Sequence, residues 1–458
     1  MGATPVIAAI DLGRTNKKFF LFDKDYNVVH EVQSWFEDIE DEDGFPCENI
    51  DSILYSLQLQ LQEVSTTQAF DIRAMNFSAH GAAFVYLDDA GHVLTPLYSY
   101  LKPYPETLKK KFYDDYGGEE KFASQTASPV LGSLNSGMQL YRMKYEKPEI
   151  FNRMRYALHL PQYLRFAVSE QFCSDITSIG CHTNLWDFEK HTYHEWVRKE
   201  GIASLLPPIL AHNTVVPCSM EGYHFLVGPG LHDSSAALIP YRMRFTEPFV
   251  LISTGTWSIS MNPFNTSPLS ITELKHDCLC YLQYDGKPVK ASRLFTGNIH
   301  DKGVDRIAAH FNKKHGKFLS VQFDPHIVEQ LRNRSEANCR STLEMIQSCA
   351  FEARDLSDFA NHREAYHRLV MDIVDSQVAS TQLVLENSNV QRIFVDGGFG
   401  KNAIYMNLLA AAFPNLQVYT ATIAQAPALG AALSIHSAWN DRPLPEGVIE
   451  LKRWGVGE

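Results

Sequence analysis

The chain has 458 residues, a formal net charge of −12, and 45% hydrophobic against 21% charged residues. That length exceeds one ordinary core and predicts two domains of roughly 200 residues each, folded rather than disordered. The acidic surplus leaves no footprint for nucleic acid, and no run reaches the roughly 18 uninterrupted apolar residues of a membrane helix.

The opening MGATPVIAAID lacks the basic and apolar regions of a secretory signal, and Val6 stands where an N-myristoylation site needs Ser or Thr. AAIDLGRTNKKFFLFD follows at 8–23. Val6–Ile10 and Phe19–Phe22 read as strands, and the Gly-containing bend between them reads as a hairpin. That bend is either a tight surface turn or a phosphate loop, because a Gly permits close backbone approach and successive N–H groups make a concave anion site. The acidic run EDIEDEDG at 37–44 reads as a solvated loop. Residues 50–64 place Ile50, Ile53, Leu54, Leu57, Leu61 and Val64 on a helical stripe facing a core. IRAMNFSAHGAA at 72–83 is a strand running into a loop of small residues.

His191 and His194, without acidic or Cys companions, read as surface residues rather than metal ligands. FLVGPGLHDSSAALIPY at 225–241 gives a strand, a loop and an Ala-rich helix. Asp233, followed by Ser, Ser, Ala and Ala, is a good N-cap, and beside His232 it is equally a candidate general base for a hydroxyl. YRMRFTEP at 241–248 marks a boundary. Beyond it FVLISTGTWSISMNPF, at 249–264, repeats the opening arrangement of strand, polar bend and strand. Cys278 and Cys280 are merely close in sequence. The eight cysteines contain no C-x-x-C pair, which argues against a zinc or redox motif and for a reduced cytoplasmic protein.

Residues 365–385 carry a second core-facing stripe, and Arg392–Val395 begins a strand. QRIFVDGGFGKN at 391–402 matches the strand-and-loop at 72–83, and VYTATIAQAPALGAALSIHSAW at 418–439 matches 225–241. Two related halves follow from this pairing. The Gly-rich turn at 397–400 precedes a helix starting near Asn402, a place suited to phosphate or nucleotide. It is neither a Walker loop nor a dinucleotide fingerprint.

Taken in order, Asp11-Leu12-Gly13, Gly230 to Asp233, Ser253 to Trp257, and Gly397 to Asn402 with Ala428 to Ala432 resemble the motifs of the FGGY carbohydrate kinases. The resemblance spans nearly the whole chain. It implies an α/β fold of two ribonuclease-H-like (actin-like ATPase) domains with a central ligand cleft. Residues 1–243 would hold the sugar and the first phosphate loop, and residues 244–458 the nucleotide. The His before the Asp, the Thr-Gly-Thr-Trp loop and VYLDDAGHVLTPLYSY at 85–100 are similar to kinases of deoxy-ketoses, L-rhamnulose and L-fuculose. Arg14 replaces a small or hydroxyl residue of the family pattern, and Phe399 interrupts its Gly-Gly-Gly-Ser.

The same resemblance implies the site residues. Asp233 would be the catalytic base and, with His80, Gly81 and His232, would bind the sugar. Gly13, Arg14, Thr15, Asn16, Thr254, Gly255, Thr256, Asn298, Gly397, Gly398, Gly400 and Asn402 would bind ATP. Asp11 would hold Mg²⁺ through water. Phosphoryl transfer needs mainly positioning and charge neutralisation, which such loops supply. The expected partners are a neutral sugar and ATP, with no nucleic acid and no membrane; a monomer and a homodimer both accord with the sequence. A chaperone of the same fold would need a peptide-binding domain for which no chain is left over, and a silent regulator would have lost the base or the loops.

Overall fold

The computed structural model describes residues 2–14, 17–334, 340–423 and 425–455. The chain divides into two compact units, one of Met1–Phe245, Cys280–Pro288 and Ala424–Val448, the other of Thr246–Leu279, Val289–Ile423 and Ile449–Glu458.

The first unit is built on a seven-stranded sheet. Strand β1 (Thr4–Leu12) carries the run Val6–Ala9, fully buried, as a central strand covered on both faces requires. It forms an antiparallel hairpin with β2 (Lys17–Phe22), which pairs antiparallel with β3 (Val28–Ser34). Helix α1 (Ile50–Thr67) starts at Asn49, whose side chain accepts the Ser52 N–H, and buries Ile50, Ile53, Leu57, Leu61 and Val64. It leads to β4 (Phe70–Ala79), which lies parallel to β1. A long excursion follows, with its own aromatic core: the rings of Tyr113, Phe122, Tyr141 and Trp196 surround Phe112 at centroid distances of 4.9–5.1 Å. The chain returns through the hairpin of β5 (Val216–Met220) and β6 (Tyr223–Val227), with β6 parallel to β4. The short β7 (Leu231–His232) pairs parallel with the end of β4, and helix α2 (Asp233–Arg244) follows.

The second unit repeats this connectivity. Strand β8 (Phe249–Thr254) forms a hairpin with β9 (Ser258–Asn262). After β10 (Cys278–Leu282) at the sheet edge, β11 (Pro288–Leu294) pairs antiparallel with β9. Helices α3 (Thr296–His310) and α4 (His362–Leu385) lead to β12 (Arg392–Gly397), parallel to β8. Helix α5 (Ala403–Ala412) leads to β13 (Gln417–Thr422), parallel to β12. In both sheets, then, the first strand forms a hairpin with the second, the second pairs antiparallel with a later strand (β3 or β11), and the first runs parallel to the strand that follows the helical connection (β4 or β12); the second sheet adds β10 ahead of β11. The duplication read from the sequence is present in the topology.

Helix α6 (Ala426–Ser434) belongs to the first unit although it comes late in the chain. Gly430 lies so close to the Ala236 carbonyl on α2 that a Cβ would not fit, and the buried Asn76 amide donates to Ala431 O (2.8 Å) and Ser434 Oγ (3.0 Å). Strand β14 (Glu450–Trp454) closes the second sheet antiparallel to β13. The chain thus passes from the first unit to the second between Phe245 and Thr246, and Cys280–Pro288 and Ala424–Val448 return to the first unit.

Candidate functional site

In the first unit three parallel strands end side by side. Asp11 of β1 stands opposite Ser78 of β4, which stands opposite Leu231 of β7; one step on, Leu12, Ala79 and His232 are in register. Carboxyl ends of parallel strands are where α/β sheets hold ligands. The Ser78 hydroxyl donates to Asp11 Oδ1 (2.5 Å). Loss of water raises the Asp11 carboxyl most; the Ser78 hydrogen bond opposes this, the negative charge of Asp233 adds to it, and Lys18 opposes it, leaving the group at about 7. A carboxylate whose charge is felt by a second carboxylate in this way belongs to a donor set suited to a divalent cation.

The loop before His232 is held rigidly. Gly230 adopts φ +77° and donates its N–H to Asn76 Oδ1 (2.9 Å), Gln162 Nε2 donates to Gly230 O (3.0 Å), and a Cβ on Gly230 would strike Pro161 O. The His232 N–H donates to Thr177 Oγ1 (2.9 Å), and its ring Nε2 lies 3.3 Å from Asp233 Oδ1. Burial lowers the His232 imidazole, the Asp233 charge raises it and His80 lowers it, with a net shift downward. Helix α2 begins at Asp233 itself, after the cap residue His232; the Asp233 carboxylate accepts the N–H of Ser234 (2.6 Å) rather than capping the second or third turn residue. It remains 30% exposed, open to a ligand. Gly81 is required by close approach, since a Cβ would lie 2.7 Å from Cys181 Sγ and 2.8 Å from His232 Cδ2.

Three buried groups brace this region. Glu48 pairs with Lys17 Nζ (2.7 Å) and with His80 Nε2 (2.8 Å), and Lys17 Nζ also donates to Arg14 O (2.7 Å). Burial would raise the Glu48 carboxyl, but the charge and hydrogen bond of His80, followed by those of Lys17, outweigh it and hold it down at about 2. Arg14 pairs with Asp38 through two nitrogens, at 2.9 and 2.5 Å, which raises its guanidinium further. The acidic run is therefore not simply solvated: Asp38 engages Arg14, and Asp41 is buried, accepting from Lys102 Nζ (2.5 Å) and from the Asp43 and Phe45 N–H groups. Gly13 sits at the end of β1, and Thr15 and Asn16 lie outside the described residues.

The second unit holds a pocket of about 660 Å³ whose lining includes Gly255, Thr256, Asn298, Gly398 and Asn402. That volume falls in the range of about 300–1,000 Å³ typical of small-molecule sites. Thr254, Gly397 and Gly400 support it from behind. The Thr254 hydroxyl donates to Asp396 O (2.5 Å) and accepts the Phe399 N–H (3.1 Å); Gly397 takes φ +87° with no room for a Cβ against the Thr254 carbonyl; Gly400 packs on Thr420 and Val395. Gly398, by contrast, has φ −61° and open space at its Cβ position. Asn402 caps α5 by accepting from Ile404 and Tyr405 N–H groups, and its amide donates to the Tyr366 hydroxyl (2.9 Å). Phe399 places an aromatic wall beside His300 (ring centroids 5.4 Å apart) and Tyr405 (4.8 Å).

Sequence reasoning missed several neighbours of these sites. Burial pushes the Asp396 carboxyl up to about 6, against the Gly397 N–H and Lys401, and no motif in the sequence singles this residue out. Tyr366 and His300 come from helices far from the Gly-rich turn. Glu48 was invisible because its partners lie 31 and 32 positions away. His194 is not a surface residue: it is 2% exposed and its ring nitrogen accepts the Trp196 N–H as a helix cap, while His191 is exposed. The scattered cysteines do not all stay apart from histidine, for Cys181, His182 and His232 each offer a ligand atom within 4.8 Å of the others.

Models of the FGGY family of carbohydrate kinases match here, that of the N-terminal domain over residues 6–217 and that of the C-terminal domain over residues 308–439. A rhamnulokinase of Halalkalibacterium halodurans is 19% identical over 281 residues, 58% of this chain and 57% of that protein; one of Klebsiella pneumoniae strain 342 is 21% identical over 272 residues, 56% and 54%. The aligned stretch thus spans little more than half the length of these curated relatives. Among solved structures, a carbohydrate kinase from Novosphingobium aromaticivorans superposes with a TM-score of 0.77 at 22% identity, covering 98% of this chain and 96% of that one. A xylulose kinase from Lactobacillus acidophilus gives 0.79 at 16%, covering 98% and 94%. These likenesses establish the two-domain α/β fold. No described helix is long and apolar enough to cross a membrane.

Proposed function

Because this chain belongs to the FGGY family of carbohydrate kinases, we propose that it transfers the γ-phosphate of ATP to a hydroxyl of a small neutral sugar, with deoxy-ketoses such as L-rhamnulose and L-fuculose first among the substrates. The observation that carries this reading is the meeting of Asp11, Ser78, His232 and Asp233 at the carboxyl ends of parallel strands. The rhamnulokinase relatives support the deoxy-ketose; the fold shared with a xylulose kinase puts other ketoses and polyols next.

In this reading Asp233 accepts the proton of the attacking hydroxyl, as the carboxylate base of phosphoryl transfer does. His232, its pKa lowered by burial, orients that hydroxyl through a hydrogen bond rather than through charge. His80 and Gly81 bound the sugar from the end of β4, with Glu48 fixing the His80 ring. In the second unit, Gly255, Thr256 and Gly398 present backbone to the nucleotide, and Asn298 adds the first turn of α3, whose N-terminal dipole favours phosphate. The carboxylates of Asp11 and Asp233 fit Mg²⁺, which when bound neutralises phosphate charge. The test is ADP release by the purified protein with Mg²⁺ across a panel of deoxy-ketoses, ketoses, aldoses and glycerol. Stimulation by a deoxy-ketose above glycerol is expected; no sugar-dependent release anywhere in the panel overturns the reading.

A further inference from the structure

The thiol of Cys181 and the rings of His182 and His232 come from two separate segments, the turn after the short helix Ile176–Ile179 and the end of β7, yet one ligand atom of each lies within 4.8 Å of the other two. All three residues are at most 8% exposed. Asp233 Oδ1 lies 3.3 Å from His232 Nε2, next to this group rather than within it, on a side chain that is 30% exposed. We propose that Cys181, His182, His232 and Asp233 form a site for a soft divalent cation of the zinc type, and that its occupation closes the sugar site.

The donor set decides the metal. A thiolate with two imidazoles selects zinc, cobalt or cadmium, whereas Mg²⁺ takes oxygen donors such as the Asp11 carboxylate. A tetrahedral ion with bonds of about 2.0–2.3 Å holds its ligand atoms roughly 3.5 Å apart, so the three-residue cluster needs to contract by about 1 Å at its widest edge and Asp233 to turn toward it as the fourth ligand. The surroundings permit this. The Cys181 thiol makes only weak bonds, donating to Ser178 O at 3.2 Å and to Gly81 O at 3.8 Å. The His232 ring has long contacts at both nitrogens, Nδ1 being 3.4 Å from Ser235 Oγ and Nε2 3.3 Å from Asp233 Oδ1. The Tyr281 ring, 5.2 Å from that of His232 and 6.2 Å from that of His182, walls the cluster off from the core side. On binding, the Cys181 S–H bond breaks, a sulfur–metal bond forms, and the proton leaves to solvent. His232 and Asp233 are then held by the ion and withdrawn from the sugar. This consequence rests on the kinase reading; the binding itself does not.

The whole protein, stripped with EDTA and desalted, is titrated with Co²⁺ as the spectroscopic probe. One equivalent should bind, with a thiolate-to-cobalt charge-transfer band and the visible bands of tetrahedral cobalt, both abolished by added Zn²⁺. Cys181→Ser should lose the charge-transfer band while Cys218→Ser keeps it. His182→Gln, checked for folding by circular dichroism, should bind at least about tenfold more weakly. A band absent from the unsubstituted protein, or persisting in Cys181→Ser, overturns the site. In the second arm Zn²⁺ should inhibit sugar-dependent ADP release competitively with sugar, reversibly on chelation, with Mg–ATP held constant. Cobalt binding without such inhibition overturns the closure of the sugar site. Cobalt binding in a protein that releases no ADP leaves the metal site standing and defeats the kinase reading instead.

Discussion

At the scale of single residues, two carboxylates separate chemistry from support. Within helix α2 the Asp233 carboxylate accepts from the N–H and hydroxyl of the next residue, Ser234, so its contribution to the helix is small, and Asn in its place keeps an oxygen able to accept these bonds. A positioned base is worth roughly 10² to 10⁴ in rate, whereas a helix cap is worth about 1 kcal/mol of stability. Asp233→Asn should therefore melt near the wild-type temperature, bind ATP normally, and show a kcat at least about a hundredfold lower; a variant retaining most of its kcat places the base elsewhere. Glu48 behaves in the opposite way. Its carboxyl is held at about 2 in the folded protein, below the ordinary 4.5. A depressed carboxylate stabilises the fold fully above the ordinary value, and that stability fades as the pH falls from about 4.5 toward 2. The linked free energy is on the order of 3 kcal/mol. Glu48→Gln should lower the melting temperature at pH 6 and flatten its fall between pH 5 and pH 3. Parallel melting curves for the two proteins across that range would assign the acid sensitivity to other carboxylates.

At the scale of elements, the turn from β12 to α5 shows why a Gly-rich motif needs a structure to be parsed. QRIFVDGGFGKN makes a strand, a turn and a helix start legible, and Asn402 does cap α5 as its position before Ala403 suggests. Which glycine serves the backbone and which serves a ligand is not legible, because φ is set by the loop as a whole. Gly397 carries the left-handed backbone and presses on Thr254, while Gly398 has an ordinary helical φ and open space facing the pocket. Gly397→Ala should cost about 1–3 kcal/mol or more, read from denaturant melts. Gly398→Val should fold normally and raise the KM for ATP at least about tenfold with little change in that for sugar. Equal losses for both substrates would remove this loop from the nucleotide site. Helix α2 was foreseen with a slightly different start: the Asp-Ser-Ser-Ala-Ala pattern points to a cap at Asp233, but the rigid Gly230 loop sets the backbone so that the helix already includes it. Clusters such as Glu48 with Lys17 and His80, or Cys181 with His182 and His232, draw on segments far apart in sequence, and periodicity carries no sign of them.

At the scale of the whole molecule, the paired strand-and-loop motifs made two related halves legible, whereas the assignment of the late segment Ala424–Val448 to the first unit was not. The Ala and Gly content of 426–434 signals a close helix contact without naming its partner. That partner is α2: Gly430 meets Ala236, and the same segment satisfies the buried Asn76 and, through His436 Nδ1, the Tyr26 hydroxyl (2.7 Å). Helix α2 opens with Asp233, and Asn76 also holds the Gly230 loop through its Oδ1, so α6 supports the loop before His232 from behind. A Cβ on Gly430 must push against backbone, which cannot swing aside as a side chain can. Gly430→Ala should therefore cost about 1–3 kcal/mol. Although residue 430 lies in the second half of the sequence, where the proposed function puts the nucleotide, the functional loss should fall on the sugar: its KM should rise several-fold while the KM for ATP changes little. Parallel measurement of both constants, with the melting temperature as the check on folding, decides the matter. A rise confined to the KM for ATP would mean that this segment serves the second unit, and that packing against α2 does not govern the geometry around His232 and Asp233.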